Sequence, residues 1–168
     1  MRARPLFLRA FAAVYACAFV SYWLQFDGLF GADGLLPAAK HHEHIAARVG
    51  SGVGLRERLR THPSALWLLR EHDDADVAME LCAVIGTLCA MLAIAGLHHG
   101  SLFALMFFAY LTLFSGGQTF LSFQWDLFLL ETGAAAILYA PWLSLTADDA
   151  TTAVAHPMTW PLRVSWIK

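Results

Sequence analysis

Gly116 to Pro141 reads GGQTFLSFQWDLFLLETGAAAILYAP. It is strongly apolar, yet it carries Gln118, Gln124, Asp126 and Glu131. A hydrocarbon interior rejects such groups unless they have partners, so each ionisable residue here marks a place to look for function. The surrounding composition shows that a hydrocarbon interior is the right setting. Of 168 residues, 58% are hydrophobic and 14% charged, against roughly 45–50% and about 25% in soluble domains. The mean hydropathy is +0.55. The fold expected is all-α: a polytopic membrane bundle of about four spans, forming a single membrane domain over residues 1–168.

Working outward, the first span is residues 6–26, long enough to cross about 30 Å of hydrocarbon. It ends in Tyr22, Trp23, Gln25 and Phe26, an aromatic belt and not a cleavage site, so it is read as an uncleaved span and not a signal peptide. Arg2, Arg4 and Arg9 precede or open it, with no acid before Asp27, which places the N-terminus in the cytoplasm. A polar loop, 27–76, follows. Gly28, Gly31 and Gly34 with Pro37 make a turn-rich exit, and AAKHHEHIAARV reads as a short helix stopped at Gly50. Ser64 is positioned to cap a short amphipathic helix at the membrane surface, with Trp67 at the interface. Further spans are expected at about 77–97, 101–120 and 126–145, with His98 and His99 in a solvated turn. The Trp-rich WPLRVSWIK closes the chain where another span would begin, so the sequence is read as a truncated N-terminal region.

Within the opening stretch, helical spacing separates the polar groups. Gln124 and Glu131, seven apart, share a face. Asp126 and Glu131 are five apart, about 140° around a helix with 3.6 residues per turn. They do not form a carboxylate pair on one helix, and each would meet its partner on a neighbouring element. Two readings stand. In one, Asp126 caps the last span and Glu131 pairs with a polar group in the bundle. In the other, the two belong to a working polar site. Gly116–Gly117 either permits close helix approach or breaks the helix where backbone lines a cavity.

Other chemistries find little support. His41 and His44 of HHEH share a helix face, but no third ligand with convincing spacing follows, so no metal is expected. Cys17, Cys82 and Cys89 all sit in apolar runs with no metal or redox spacing. No dense basic block offers a nucleic-acid footprint, and no nucleotide-binding or hydrolase motif is present. No cofactor is expected.

The block Gly117–Gln118, Phe123–Gln124–Trp125–Asp126, Leu130–Glu131–Thr132–Gly133 and Ala140–Pro141 strongly resembles the lipase maturation factor family of endoplasmic-reticulum membrane proteins. The aromatic end of the first span and its exit, through Gly31, Gly34, Leu36, Pro37 and Ala38, resemble the same family. The resemblance implies a multi-pass endoplasmic-reticulum membrane factor, not an enzyme, that assists folding, assembly and maturation of secreted lipases as a chaperone. Its partners would be membrane lipids and client lipases, its first loop lumenal. The family's large C-terminal region, implicated in binding lipases, has no counterpart in this chain. The family is more distantly similar to the membrane region of vitamin K-dependent carboxylase-like proteins, so a membrane enzyme is the alternative. A transporter fragment using Gln124, Asp126 and Glu131 is a third reading.

Overall fold

A computed structural model describes residues 3–50, 52–68 and 74–142. Among them are six α-helices and no strand: α1 (Ala3–Leu29), α2 (Ala38–Val49), α3 (Leu55–Thr61), α4 (Ala75–Ala95), α5 (Gly100–Gly116) and α6 (Gln124–Tyr139). Two short 3₁₀ turns, Ala65–Leu68 and Gln118–Leu121, complete the set. The chain forms a helical membrane bundle. By length and composition α1 and α4 can cross a bilayer, and α5 is a shorter apolar helix of 17 residues. Their outer faces expose the side chains a lipid phase would solvate, among them Leu24, Leu81, Leu88 and Phe108.

α1 packs on α4, α4 on α5, and α5 on α6. Trp23 donates from Nε1 to Glu80 Oε1 (3.0 Å), and a Cβ at Gly86 would meet the Phe19 ring. Low numbers on α1 thus meet high numbers on α4, and the two run antiparallel. Short turns reverse the chain again after α4 and after α5. α6 therefore runs antiparallel to α1, and Arg4 donates to the Tyr139 carbonyl (Nε, 2.9 Å) where their ends meet. The core is aromatic, because rings fill the space between helices that cannot interdigitate by small residues alone. Tyr15, Phe19 and Tyr110 lie within 5.7 Å of one another, centroid to centroid, in edge-on and stacked pairs.

Several boundaries and exposures differ from the sequence reading. The third apolar run was expected to continue to 120. Its helix ends at Gly116, because Gly117 caps it and Gln118 takes a positive φ of 51°. α6 begins at Gln124, not 126, and ends at Tyr139, ahead of Pro141, whose ring cannot continue a helix. Residues 143–145 of the expected fourth span, and the WPLRVSWIK segment, lie outside the described residues. Ser64 does cap, its Oγ accepting from Leu66 N at 3.2 Å, and Trp67 is buried against the protein. Its indole N–H donates to the His62 carbonyl (2.8 Å), which removes its need for water. His98, expected in a solvated turn, is 2% exposed, and only His99 faces outward. His99 instead caps α5, its Nδ1 accepting from Ser101 N at 3.3 Å.

Candidate functional site

The two sequence blocks singled out above meet at one end of the bundle. The exit from α1 folds back on itself. Gly34 N donates to Gly31 O (2.9 Å), Leu36 N to Leu29 O (2.8 Å), and Ala38 N to Phe30 O (3.0 Å). A Cβ at Gly34 would lie 2.8 Å from the Leu29 carbonyl carbon, and one at Gly31 would lie 2.9 Å from Asp27 O, so the turn closes only around glycine. Pro37 then sits at the N-cap of α2 with φ −55°, which ends the turn and starts the helix.

Onto this turn comes the reversal between α5 and α6. Gln118 Nε2 donates to the Leu36 carbonyl (3.3 Å), and the Phe30 and Phe120 rings meet edge to face at 6.0 Å. Gln118 holds the left-handed backbone (φ 51°) that a non-glycine residue adopts at a cost of about 1 kcal/mol or more. The side-chain bond is what that conformation delivers. The polar loop is tied to the same end. Ser115 Oγ donates to Pro63 O (2.7 Å), a ring nitrogen of His62 lies 3.1 Å from Ser115 O, and Ala65 N donates to Thr112 Oγ1 (3.2 Å).

Asp126 occupies the first turn of α6 and is 7% exposed. It does not cap the helix. The N-cap is Phe123, with no side-chain bond. Instead Tyr110 of α5 donates its hydroxyl to Asp126 Oδ1 at 2.7 Å, while Asp126 Oδ2 has no hydrogen-bond partner. Glu131 is exposed on the opposite side of α6, and Gln124 and Trp125 are exposed at its start, Trp125 stacked on Phe123 at 4.9 Å. Asp126 and Glu131 therefore do not converge. Gly133 lies buried against α1. A Cβ there would collide with the Tyr15 hydroxyl, which itself donates to Leu129 O at 3.4 Å.

Between α1 and α6 a cleft of about 770 Å³ remains open. Val14, Ala18, Ser21 and Gln25 line one wall, Phe128 and Thr132 the other, with Tyr110 and Asp126 also on its surface. Sequence reasoning found Asp126 but missed Tyr110, Thr112 and Ser115. The available signal was three hydroxyls in an otherwise apolar helix, each needing a partner.

The histidines of HHEH separate. His41 faces His62 (centroids 6.4 Å apart) and His42 is buried beside Trp67 (5.2 Å). Burial, followed by His62, His44 and Arg48, holds the His41 pKa below the ordinary imidazole value. Among the described residues no three His, Cys, Asp or Glu side chains are grouped to hold a metal ion.

The family description "Lipase maturation factor transmembrane domain" matches residues 2–168. Lipase maturation factor 2 of Gallus gallus is 46% identical over 143 residues, covering 83% of this chain and 19% of that protein. The Homo sapiens protein of the same name is 39% identical over 141 residues, with 82% and 19% covered. Lipase maturation factor 1 of Bos taurus is 30% identical over 161 residues, with 95% and 28% covered. The chain thus spans about a fifth of the length of the lipase maturation factor 2 relatives it matches. No solved structure matches.

Proposed function

This chain belongs to the lipase maturation factor family, and from that premise we propose that it is the N-terminal membrane region of a multi-pass endoplasmic-reticulum factor. It assists the folding, assembly and maturation of secreted lipases, and it does so without catalysing a reaction. Residues 1–168 form one membrane domain whose crossings are α1, α4, α5 and α6. The N-terminus is cytoplasmic and the 27–76 loop lumenal, in keeping with Arg2, Arg4 and Arg9 ahead of the first span. Client lipases and membrane lipids are its partners.

One observation carries the reading: 46% identity to a relative named for lipase maturation, over 83% of this chain. The geometry supports it in a second way. The family-motif groups Gln118 and Asp126 are engaged in tying helices together, and Asp126 and Glu131 point apart. An enzyme or a transport pathway through Gln124, Asp126 and Glu131 would need those groups to converge.

The test is deletion of the full-length gene in cells that co-express a secreted lipase. Specific activity of the lipase, and not only its quantity, falls and is restored by the full-length gene. Unchanged specific activity would sink the proposal. If Glu131→Gln abolished a turnover while leaving the protein level intact, the enzyme reading would replace it.

A further inference from the structure

The cleft between α1 and α6 joins apolar walls to one buried, half-engaged carboxyl group. The two helices touch where Gly133 meets Tyr15 and where Arg4 meets the Tyr139 carbonyl. Beside these contacts the cleft stays open, with a volume of about 770 Å³. That lies within the range of about 300–1,000 Å³ for small-molecule sites, which are mostly apolar with a few placed polar groups. Val14, Ser21 and Phe128 on its walls are exposed, so it opens sideways to the lipid phase. Its α1 wall runs from Phe11 to Leu29, about 27 Å at 1.5 Å per residue.

Asp126 is the one charged residue lining this cleft, and no Lys, Arg or His joins it there. It is 7% exposed. Tyr110 holds its Oδ1 at 2.7 Å, and Oδ2 has no partner. The depth of this group follows from its neighbours. The Tyr110 ring meets the Phe19 ring edge-on at 5.6 Å, and Phe19 packs against Gly86. Phe19 lies near the middle of α1 and Gly86 near the middle of α4. Asp126 therefore sits near mid-depth of the bundle, where an unmet polar atom finds no solvent to satisfy it.

We propose that the cleft holds a neutral lipid alcohol, its hydroxyl bonded to Asp126 Oδ2 and its apolar body lying along the α1 wall. Three kinds of lipid group could meet that oxygen. A hydrocarbon tail has nothing to offer it. An ammonium headgroup would have to carry its charge to mid-depth, which is costly. A hydroxyl both donates and accepts, so it satisfies Oδ2 whether or not the carboxyl carries a proton. The inference rests on the membrane setting of the chain and not on the lipase reading.

The test uses the 168-residue chain in phosphatidylcholine nanodiscs. It is irradiated with two diazirine-bearing lipid alcohols, a sterol and a diacylglycerol, and with the methyl ether of each, and the labelled residues are mapped by mass spectrometry. At least one alcohol should label Val14, Ser21 or Phe128 in preference to Leu81 and Leu88 on the outer face of α4. Which alcohol labels better tells a ring body from acyl chains. Its methyl ether, which cannot donate, should label the cleft about tenfold less. Ser21→Trp, at an exposed wall position, should abolish cleft labelling and leave that of α4 unchanged. In Asp126→Val the alcohol and its ether should label the cleft alike. Labelling no denser in the cleft than on α4 would overturn the proposal in favour of bulk lipid. Equal labelling by alcohol and ether in the unaltered chain would overturn the hydrogen bond, a result that stands even if Asp126→Val does not fold. Discrimination that survives in Asp126→Val would overturn the assignment to Asp126.

Discussion

The motif end of the bundle, where the exit from α1 meets the α5–α6 reversal and the polar loop, and the cleft between α1 and α6 beside it treat polar groups in opposite ways. At the motif end Gln118, Thr112, Ser115 and His62 each reach a partner on another element. Along the cleft, Asp126 keeps one oxygen unpartnered. In a bilayer an unpaired polar group costs several kcal/mol, since no water replaces the lost partner. The difference separates polar residues fully engaged in holding this bundle together from Asp126, which is engaged through one oxygen only. Of the family-motif side chains, Gln118 and one oxygen of Asp126 are committed to ties between elements.

The comparison breaks most severely where α1 and α6 touch. Gly133→Ala adds a methyl against the Tyr15 hydroxyl, whose ring is locked between Phe11 and Phe19. Alanine's helix preference recovers at most about 1 kcal/mol, and overpacking costs about 1–3 kcal/mol. Gly133→Val, which adds bulk and a weaker helix former, should therefore lower the unfolding midpoint in detergent further than Gly133→Ala. Equal stability in all three proteins would show that α6 is free to move off α1.

A smaller effect is expected at Gln118, where two terms of opposite sign meet. Gln118→Ala loses the bond to Leu36 O but keeps the left-handed backbone, and should cost about 1 kcal/mol. Gln118→Gly loses the same bond and relieves the backbone, so it should come closer to neutral. If glycine proved the worse of the two in denaturant titrations, the left-handed backbone at 118 would not be a source of strain.

The smallest effect is a pH dependence in the loop. The folded-state pKa of His41 lies below its unfolded value of about 6.5. The unfolded chain therefore binds the proton first, and stability present above that value is lost as pH falls through the folded pKa. The melting temperature should be slightly lower at acidic than at neutral pH, and His41→Gln should flatten the slope. A slope of opposite sign would mean that protonated His41 is stabilised by a partner.

Much of this was readable in the sequence, for reasons specific to each element. The apolar runs of α1 and α4 are long, and Gly50, read as the stop of the short loop helix, ends α2 with a positive φ of 88°. The 140° between Asp126 and Glu131 followed from helical geometry alone, and the two do face apart. Which of them faces inward was not readable, because α6 is apolar all round and carries no stripe to orient it. The ties were hidden for another reason. Gln118 reaches Leu36 across 82 residues and Tyr110 reaches Asp126 across 16, and no local pattern records a tertiary pair. His98 and Trp67 look like solvated and interfacial residues by type; only the packing of the loop and the α4–α5 turn buries them.

The central claim is that Asp126 is a tie between α5 and α6 and not a reacting group. A double-mutant cycle between Tyr110→Phe and Asp126→Asn, read by unfolding of the reconstituted chain, tests it most directly. The account predicts a coupling of about 0.5–2 kcal/mol, the range for hydrogen bonds between membrane helices. Losses that simply add, to within about 0.3 kcal/mol, would contradict it.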